Sequence, residues 1–154
     1  QRQMCIRDRL KSQGVQDAER KLTEAGGMPL AVFDEDARFR LADEMRERFL
    51  AYLRLGHAAP PAQALSVADK DVTLSAAALF LSRWGWDLAS AKVGCEPQYF
   101  PEFAEEIKTI AQAANPTGLY TWINSVRDIR RVSEHPLNAK TMIEALLISY
   151  ARNI

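Results

Sequence analysis

A compact group of basic side chains lies near the C-terminal end of the chain, in the stretch RDIRR. It contains Arg127, Arg130 and Arg131. On a helix, Arg127 and Arg131 share a face, and Glu134 follows Arg130 at the spacing of a weak surface ion pair. Guanidinium groups also bind carboxylates and phosphates through paired hydrogen bonds. The cluster is interpreted as a solvated helix face, with a contact to another subunit or to nucleic acid as the functional alternative.

The residue types that bind metals occur in this sequence without the spacing that metal sites need. Asp34, Glu35 and Asp36 are consecutive, but they lack the glycine and the spaced ligands of a calcium loop. They are better explained as acidic residues at the positive end of a helix dipole. His57 and His135 are isolated from any ligand pattern, and we expect loop or capping roles for both. No metal or cofactor is expected.

The two cysteines give no sign of catalysis. Cys95 lies in a loop with Gly94 and Pro97, and a nucleophilic thiol needs a positioned base that the sequence does not supply. Cys5 and Cys95 are too few for a disulfide framework or a metal cluster, so reduced thiols in the cytoplasm are the default expectation. There is no glycine-rich phosphate loop of the Walker type. We therefore assign no catalytic residue and expect no enzymatic activity from this chain.

The three tryptophans differ in their relation to the helical pattern. Trp84 and Trp122 lie on apolar stripes, where core packing is a better explanation than stacking on nucleobases. Trp86 falls off the stripe that contains Trp84. The sequence therefore predicts two core tryptophans and leaves the third without a structural role.

The composition indicates an ordinary water-soluble globular domain. Of 154 residues, 47% are hydrophobic and 26% are charged, and twenty basic residues balance twenty acidic ones. A net charge near zero argues against a chain devoted to binding phosphates, because such domains are usually strongly basic. No apolar run approaches the roughly 18–20 residues that span a bilayer, so no membrane contact is expected.

Helical periodicity interrupted by Gly and Pro predicts an all-α bundle of five or six main helices from about residue 34 onward, without a sheet. Gly26 and Gly27 are expected to stop the first helix, and Pro61 to start a short helix in a loop. Gly85, inside the longest helix, is expected to allow a close approach of another helix. A first helix is predicted at about 15–25, and the main helices of the bundle at about 34–55, 72–92, 103–114, 119–134 and 139 to the end.

The final helix has a well-specified start in the stretch HPLNAK. Asn138 is a good N-cap, because its side chain accepts a hydrogen bond from an otherwise unpaired amide. Leu137 and Met142 are spaced for a hydrophobic staple across that cap. Leu146 and Leu147 follow at helical spacing, and we expect both to be buried in the bundle.

Three stretches, taken in order, resemble the delta-prime subunits of the bacterial replicative clamp loader, part of the DNA polymerase III holoenzyme. LKSQGVQDAERKLTEAGGMPLAV is similar to the end of that family's lid module, where a helix reaches an A-G-G-x-P-L turn. TLSAAALFLSRWGWDLASAKVGCEP resembles the long central collar helix. LYTWINSVRDIRRVSEHPLNAKTMIEALLISY resembles the terminal helix pair, joined through HPLNAK.

The resemblance implies a non-catalytic role in subunit assembly. Each clamp-loader subunit contributes a helical collar, and the resulting ring loads the sliding clamp onto primed DNA. The implied partners are the delta and gamma/tau subunits, with DNA contacted only indirectly or weakly. The family's arginine finger, zinc-binding insertion and degenerate nucleotide site lie upstream of the matched region, so none of them is assigned to residues of this chain.

The resemblance predicts that the chain has three parts. Residues 1–9 resemble translated sequencing adapter and are set aside, and the initial Gln1 suggests a fragment. Residues 10–32 would be the end of the lid module, and residues 33–154 the collar domain. The alternative is a stand-alone helical protein, either a small nucleic-acid-binding regulator or an enzyme of unrecognised family.

Overall fold

A computed structural model describes residues 2–27, 40–133 and 138–154 of the chain. The described residues form α-helices, short 3₁₀ turns and loops, with no strand among them, which confirms the predicted all-α fold. The 3₁₀ turns cover Gly56–Ala58, Pro61–Gln63 and Pro101–Phe103. The helices are α1 (Arg2–Ser12), α2 (Ala18–Glu24), α3 (Asp43–Leu53), α4 (Ala64–Val67), α5 (Leu74–Lys92), α6 (Ala104–Ala113), α7 (Pro116–Val132) and α8 (Ala139–Asn153).

The N-terminal helices α1 and α2 have a small apolar cluster of their own. Leu10 of α1 is buried against Leu22 and two alanines of the α2 region. Helix α2 is followed by Gly26 and Gly27, both at positive φ, as the sequence predicted for its end. Helix α1 includes the segment at 2–9 that the sequence interpretation sets aside, and Arg7 in it pairs with Glu19 at 3.0 Å. The adapter origin of residues 1–9 stays a prediction.

Helix α3 begins later than the sequence predicted. Residues 40–42 are not helical, and Ala42 is the extended residue that precedes the first turn. The acidic residues in that turn are Asp43 and Glu44, which lie at the positive end of the helix dipole. The predicted start at about 34–36 was therefore wrong for this helix. Residues 34–36 themselves lie outside the described residues.

Helix α5 is the longest and lies at the centre of the bundle, in contact with α6, α7 and α8. Thr73 caps it by accepting a hydrogen bond from the Ala76 amide at 3.2 Å. The predicted apolar stripe that contains Trp84 is buried from Leu74 to Leu88, and Ala91 at its end is only partly buried. The loop predicted around Pro61 contains a short 3₁₀ turn and then α4.

Buried polar atoms tie α8 to the rest of the bundle. The indole Nε1 of Trp84 donates to the hydroxyl of Tyr150 at 3.3 Å, and that hydroxyl donates to the Leu53 carbonyl at 2.7 Å. The indole Nε1 of Trp122 donates to the Leu146 carbonyl at 2.9 Å. Both tryptophans are fully buried, as predicted. Their polar tips have partners, which a buried Trp or Tyr normally requires.

Helix α8 begins at the predicted cap and completes the core. The Asn138 side chain accepts a hydrogen bond from the Thr141 amide at 3.2 Å, and both Leu146 and Leu147 are buried. These predictions are confirmed. Leu137 lies outside the described residues, so the staple between Leu137 and Met142 stays a prediction.

Candidate functional site

An apolar groove lies between α5 and α7 on the surface of the bundle, with a volume of about 340 Å³. Two exposed aromatic side chains line it. Trp86 on α5 is 58% exposed and Tyr120 on α7 is 46% exposed. Ile123 and Val126 of α7 add apolar surface between them. Exposed Trp and Tyr side chains that share one groove are a clear departure from an ordinary polar surface within the described part of the chain.

Helical spacing explains how the sequence assembles the groove. On α5, Ser82, Trp86 and Ala89 are separated by four and three residues, so they share a face. On α7, Tyr120, Ile123, Arg127 and Arg130 follow the same rule. Each helix thus presents one stripe, and the groove forms where the two stripes meet.

Gly85 allows the close approach of α5 and α7. A Cβ atom placed there would lie 3.1 Å from Cγ1 of Ile123 and 3.2 Å from Cζ3 of Trp122. Both distances are shorter than ordinary carbon contacts. The expectation that Gly85 brings a neighbouring helix close is therefore confirmed, and that closeness sets the width of the groove.

Two of the three predicted arginines form one edge of the groove. Arg127 and Arg130 line it, whereas Arg131 does not. Asp128 is the local counter-ion, with its Oδ1 at 3.7 Å from Arg127 Nε and at 4.0 Å from Arg131 Nη1. All three residues of these pairs are more than half exposed, so both ion pairs are weak. Glu134, the predicted partner of Arg130, lies outside the described residues.

Charge at this edge is unbalanced. Among the described residues at this edge, Arg127 and Arg130 carry two positive charges and the neighbouring Asp128 carries one negative charge, which leaves an excess of one positive charge. Among the described residues, Arg130 makes no ion pair. The groove therefore combines an apolar interior with a cationic edge.

Sequence reasoning missed Asp87, which is a fully buried carboxylate. It accepts hydrogen bonds from the backbone amides of the loop after α5: from Gln98 at 2.8 Å, from Tyr99 at 3.0 and 3.2 Å, and from Phe100 at 2.8 Å. Burial raises the pKa of Asp87 above its ordinary value, and the backbone N–H groups partly oppose that rise. A signal was present: Asp87 lies three residues after Trp84 and directly before Leu88, on the buried side of α5.

The loop that Asp87 holds also contacts the N-terminal helices. The Gln98 side chain donates from Nε2 to the Gly26 carbonyl at 2.7 Å. A Cβ atom at Gly26 would lie 3.0 Å from Cε1 of Tyr99, and the Arg83 guanidinium lies 5.8 Å from the centre of the Tyr99 ring. Asp87 therefore positions the surface on which the end of α2 rests.

No family model, curated protein or solved structure matches this chain.

The remaining residues singled out in the sequence lie apart from the groove. His57 is exposed in a 3₁₀ turn, and Cys95 is an exposed free thiol in the loop after α5. His135 lies outside the described residues. In the part of the chain that the structure describes, no three His, Cys, Asp or Glu residues are grouped to hold a metal ion. None of the described helices has the length and apolar character to cross a bilayer.

Proposed function

We propose that this chain is a non-catalytic subunit-assembly domain that binds a protein partner through the groove between α5 and α7. The observation that carries this proposal is the exposed pair Trp86 and Tyr120 in an apolar groove beside Arg127 and Arg130. Trp, Tyr and Arg are the residue types that contribute most of the binding energy at protein interfaces.

The physical properties of the groove favour a macromolecular partner. Exposing a large aromatic side chain to water forfeits the hydrophobic free energy that burial would provide. A partner that covers Trp86 and Tyr120 would recover it. Both residues lie on long helices whose opposite sides are fixed in the core by Trp84 and Trp122. A binding surface on such rigid elements loses little conformational entropy on association.

The resemblance to delta-prime subunits supplies the identity of the partners within this proposal. The chain would be the C-terminal collar of a delta-prime subunit in the cytoplasm, preceded by the end of the lid module. Its partners would be the delta and gamma/tau subunits of the clamp loader that acts with DNA polymerase III. DNA would be contacted only weakly or indirectly, and the chain itself would neither bind ATP nor require a cofactor.

A binding assay with purified subunits tests the proposal. The chain is immobilised and exposed separately to bacterial delta and gamma/tau subunits. We expect binding that the double variant Trp86→Ala, Tyr120→Ala weakens by at least about tenfold, a typical loss for removing interface hot spots. Leu65→Ala is the matched control, because Leu65 is 53% exposed but lies outside the groove. Failure of every subunit to bind would contradict the clamp-loader assignment.

One observation favours the alternative of a stand-alone nucleic-acid-binding regulator. An exposed Trp86 beside a cationic edge is also able to stack on a base while arginines contact phosphates. The same assay therefore includes a single-stranded DNA oligonucleotide at several salt concentrations. Strong, steeply salt-dependent binding to the oligonucleotide, without binding to any subunit, would favour the regulator.

A further inference from the structure

We infer that the groove between α5 and α7 binds one helix of a different protein, and that this helix carries a large apolar side chain flanked by carboxylates on the same face. The inference rests on the proposed function, since it names the chemistry of the partner at the proposed assembly surface. It goes further by predicting the pattern of residues that the partner presents.

The size of the groove sets the first requirement. A volume of about 340 Å³ lies at the lower end of the range for pockets that hold small molecules. The interior of the groove is apolar, and the exposed side chains of Trp86 and Tyr120 line it. One or two apolar side chains of a partner fit this space, and contact with the aromatic rings would remove both from water.

The shape of the groove sets the second requirement. It runs between two helices brought close at Gly85, and Ser82 and Ala89 keep the α5 side shallow. A third helix packs well into such a furrow, because ridges of side chains on one helix fit grooves on its neighbours. Helix-in-groove binding of this kind uses apolar anchors at spacings of three and four residues.

The charge of the edge sets the third requirement. Arg127 and Arg130 lie three residues apart on α7, about 4.5 Å along the helix axis. A partner helix lying along α7 would present carboxylates to both guanidinium groups if its acidic residues were three or four apart. Paired Arg–carboxylate contacts are directional, so they would fix the register of the partner helix.

A second copy of this chain is a poor match to these requirements. The carboxylates on its own helices are largely engaged: Glu44 pairs with Arg48 at 2.8 Å and Glu106 pairs with Arg54. Nucleic acid is also a poorer match, because only one edge of the groove is cationic and its interior offers Ile123 and Val126 rather than phosphate ligands. A foreign acidic amphipathic helix satisfies all three requirements.

The test uses the whole chain and a synthetic peptide as the probe. The peptide is an Ala-rich helix of roughly 16 residues, long enough to be partly helical alone. It carries Leu and Phe four residues apart, with two Glu residues four apart along one side of that apolar face. A matched control peptide has Lys in place of each Glu. Trp86 is the exposed one of the three tryptophans, so a blue shift of Trp emission reports occupation of the groove.

We expect the Glu peptide to bind and to shift the emission, and the Lys peptide to bind at least about tenfold more weakly. The double variant Arg127→Glu, Arg130→Glu should reverse that preference. The control variant Arg131→Glu makes the same type of charge change outside the groove lining and should preserve it. Equal binding of both peptides, or a preference that survives the double reversal, would overturn the inference.

Further measurements distinguish a partner helix from nucleic acid or a second copy of the chain. They also distinguish failure of this inference from failure of the proposed function. Displacement of the peptide by a thymidine oligonucleotide, or self-association that occludes Trp86, would also overturn the inference. Peptide binding with the expected charge preference, without any binding to clamp-loader subunits, would contradict the proposed function alone. Subunit binding that depends on Trp86 but survives reversal of Arg127 and Arg130 would contradict this inference alone.

Discussion

Trp86 and Asp87 are neighbours on α5, and each lies in the environment that is usual for the other residue type. Trp86 is 58% exposed, whereas Asp87 is fully buried. Tryptophan is a large apolar side chain that is usually well covered, and aspartate is almost never fully buried without partners. The packing of α5 in the bundle, and not residue type, therefore decided burial at these two positions.

The two exceptions have different physical compensations. Burying the Asp87 carboxylate is costly, and the amides of Gln98, Tyr99 and Phe100 offset that cost through charge-assisted hydrogen bonds. Nothing on the described surface covers Trp86 to a comparable degree. The hydrogen bonds that a buried Asp87 needs are therefore supplied within the chain. The apolar cover that Trp86 lacks would have to come from a partner.

The largest effect is expected from removing the Asp87 carboxylate. Asp87→Ala would leave three backbone N–H groups without their acceptor, and a buried unsatisfied donor costs about 1–3 kcal/mol. We expect the free energy of unfolding in urea to fall by about 3–5 kcal/mol. Asp87→Asn keeps one acceptor oxygen and should lose less. An alanine variant within about 1 kcal/mol of the parent would remove this account of the loop.

A smaller loss of stability is expected at Gly85, the buried residue directly before Trp86 on α5. Gly85→Ala gains about 1 kcal/mol in helix propensity but adds a methyl group 3.1 Å from Ile123 and 3.2 Å from Trp122. Overpacking a filled contact costs about 1–3 kcal/mol, so we expect a net loss of about 1 kcal/mol. The loss should shrink in an Ile123→Ala background, as a double-mutant cycle measures. A more stable Gly85→Ala protein would mean that the helices separate freely.

A pH dependence of stability should distinguish Asp87 from a surface carboxylate. Burial raises the pKa of Asp87 in the folded chain above 3.8, its ordinary value. Between that value and the raised pKa, the folded state binds more protons than the unfolded state, so the free energy of unfolding falls as pH rises. We therefore expect the free energy of unfolding of the parent, minus that of Asp87→Asn, to fall as pH rises from 3.8 to the raised pKa. Urea denaturation of both proteins at a series of pH values measures this difference. A difference that grows with pH there would mean that the amide donors outweigh burial.

The smallest effect on stability is expected at Trp86. Because its side chain is largely in water, Trp86→Ala should change the free energy of unfolding by only about 0.5 kcal/mol, in contrast to a loss of about 3–5 kcal/mol for Trp84→Ala. The variant should also lose the long-wavelength part of the tryptophan emission. A large destabilisation by Trp86→Ala would show that the groove is part of the core and would weaken the case for a partner.

Much of the fold could be predicted from the sequence because local signals agreed with one another. The glycines after α2 and the Asn138 cap each lie within one or two helical turns, the apolar stripe of α5 repeats at a regular helical spacing, and each was confirmed. The start of α3 was predicted incorrectly because two acidic stretches, at 34–36 and 43–44, carry the same helix-start signal. Local charge could not choose between them.

The candidate site was only partly predictable. The arginine cluster was visible as a sequence motif, and Trp86 was visible as a residue off its stripe. Their meeting in one groove depends on the angle and spacing between α5 and α7, which no local pattern encodes. Arg131 was grouped with Arg127 and Arg130 in the sequence, but the structure separates it from the groove lining.

The sequence by itself determined the helical class, the positions of most helix ends and the identity of the core stripes, because these depend on backbone preferences and on a period of 3.6 residues. The tertiary structure decided the environment of residues outside those stripes. Asp87 could be buried only where a loop distant in sequence brought its amides within hydrogen-bonding distance. Trp86 was left in water because α7, brought close at Gly85, packs beside it instead of covering it.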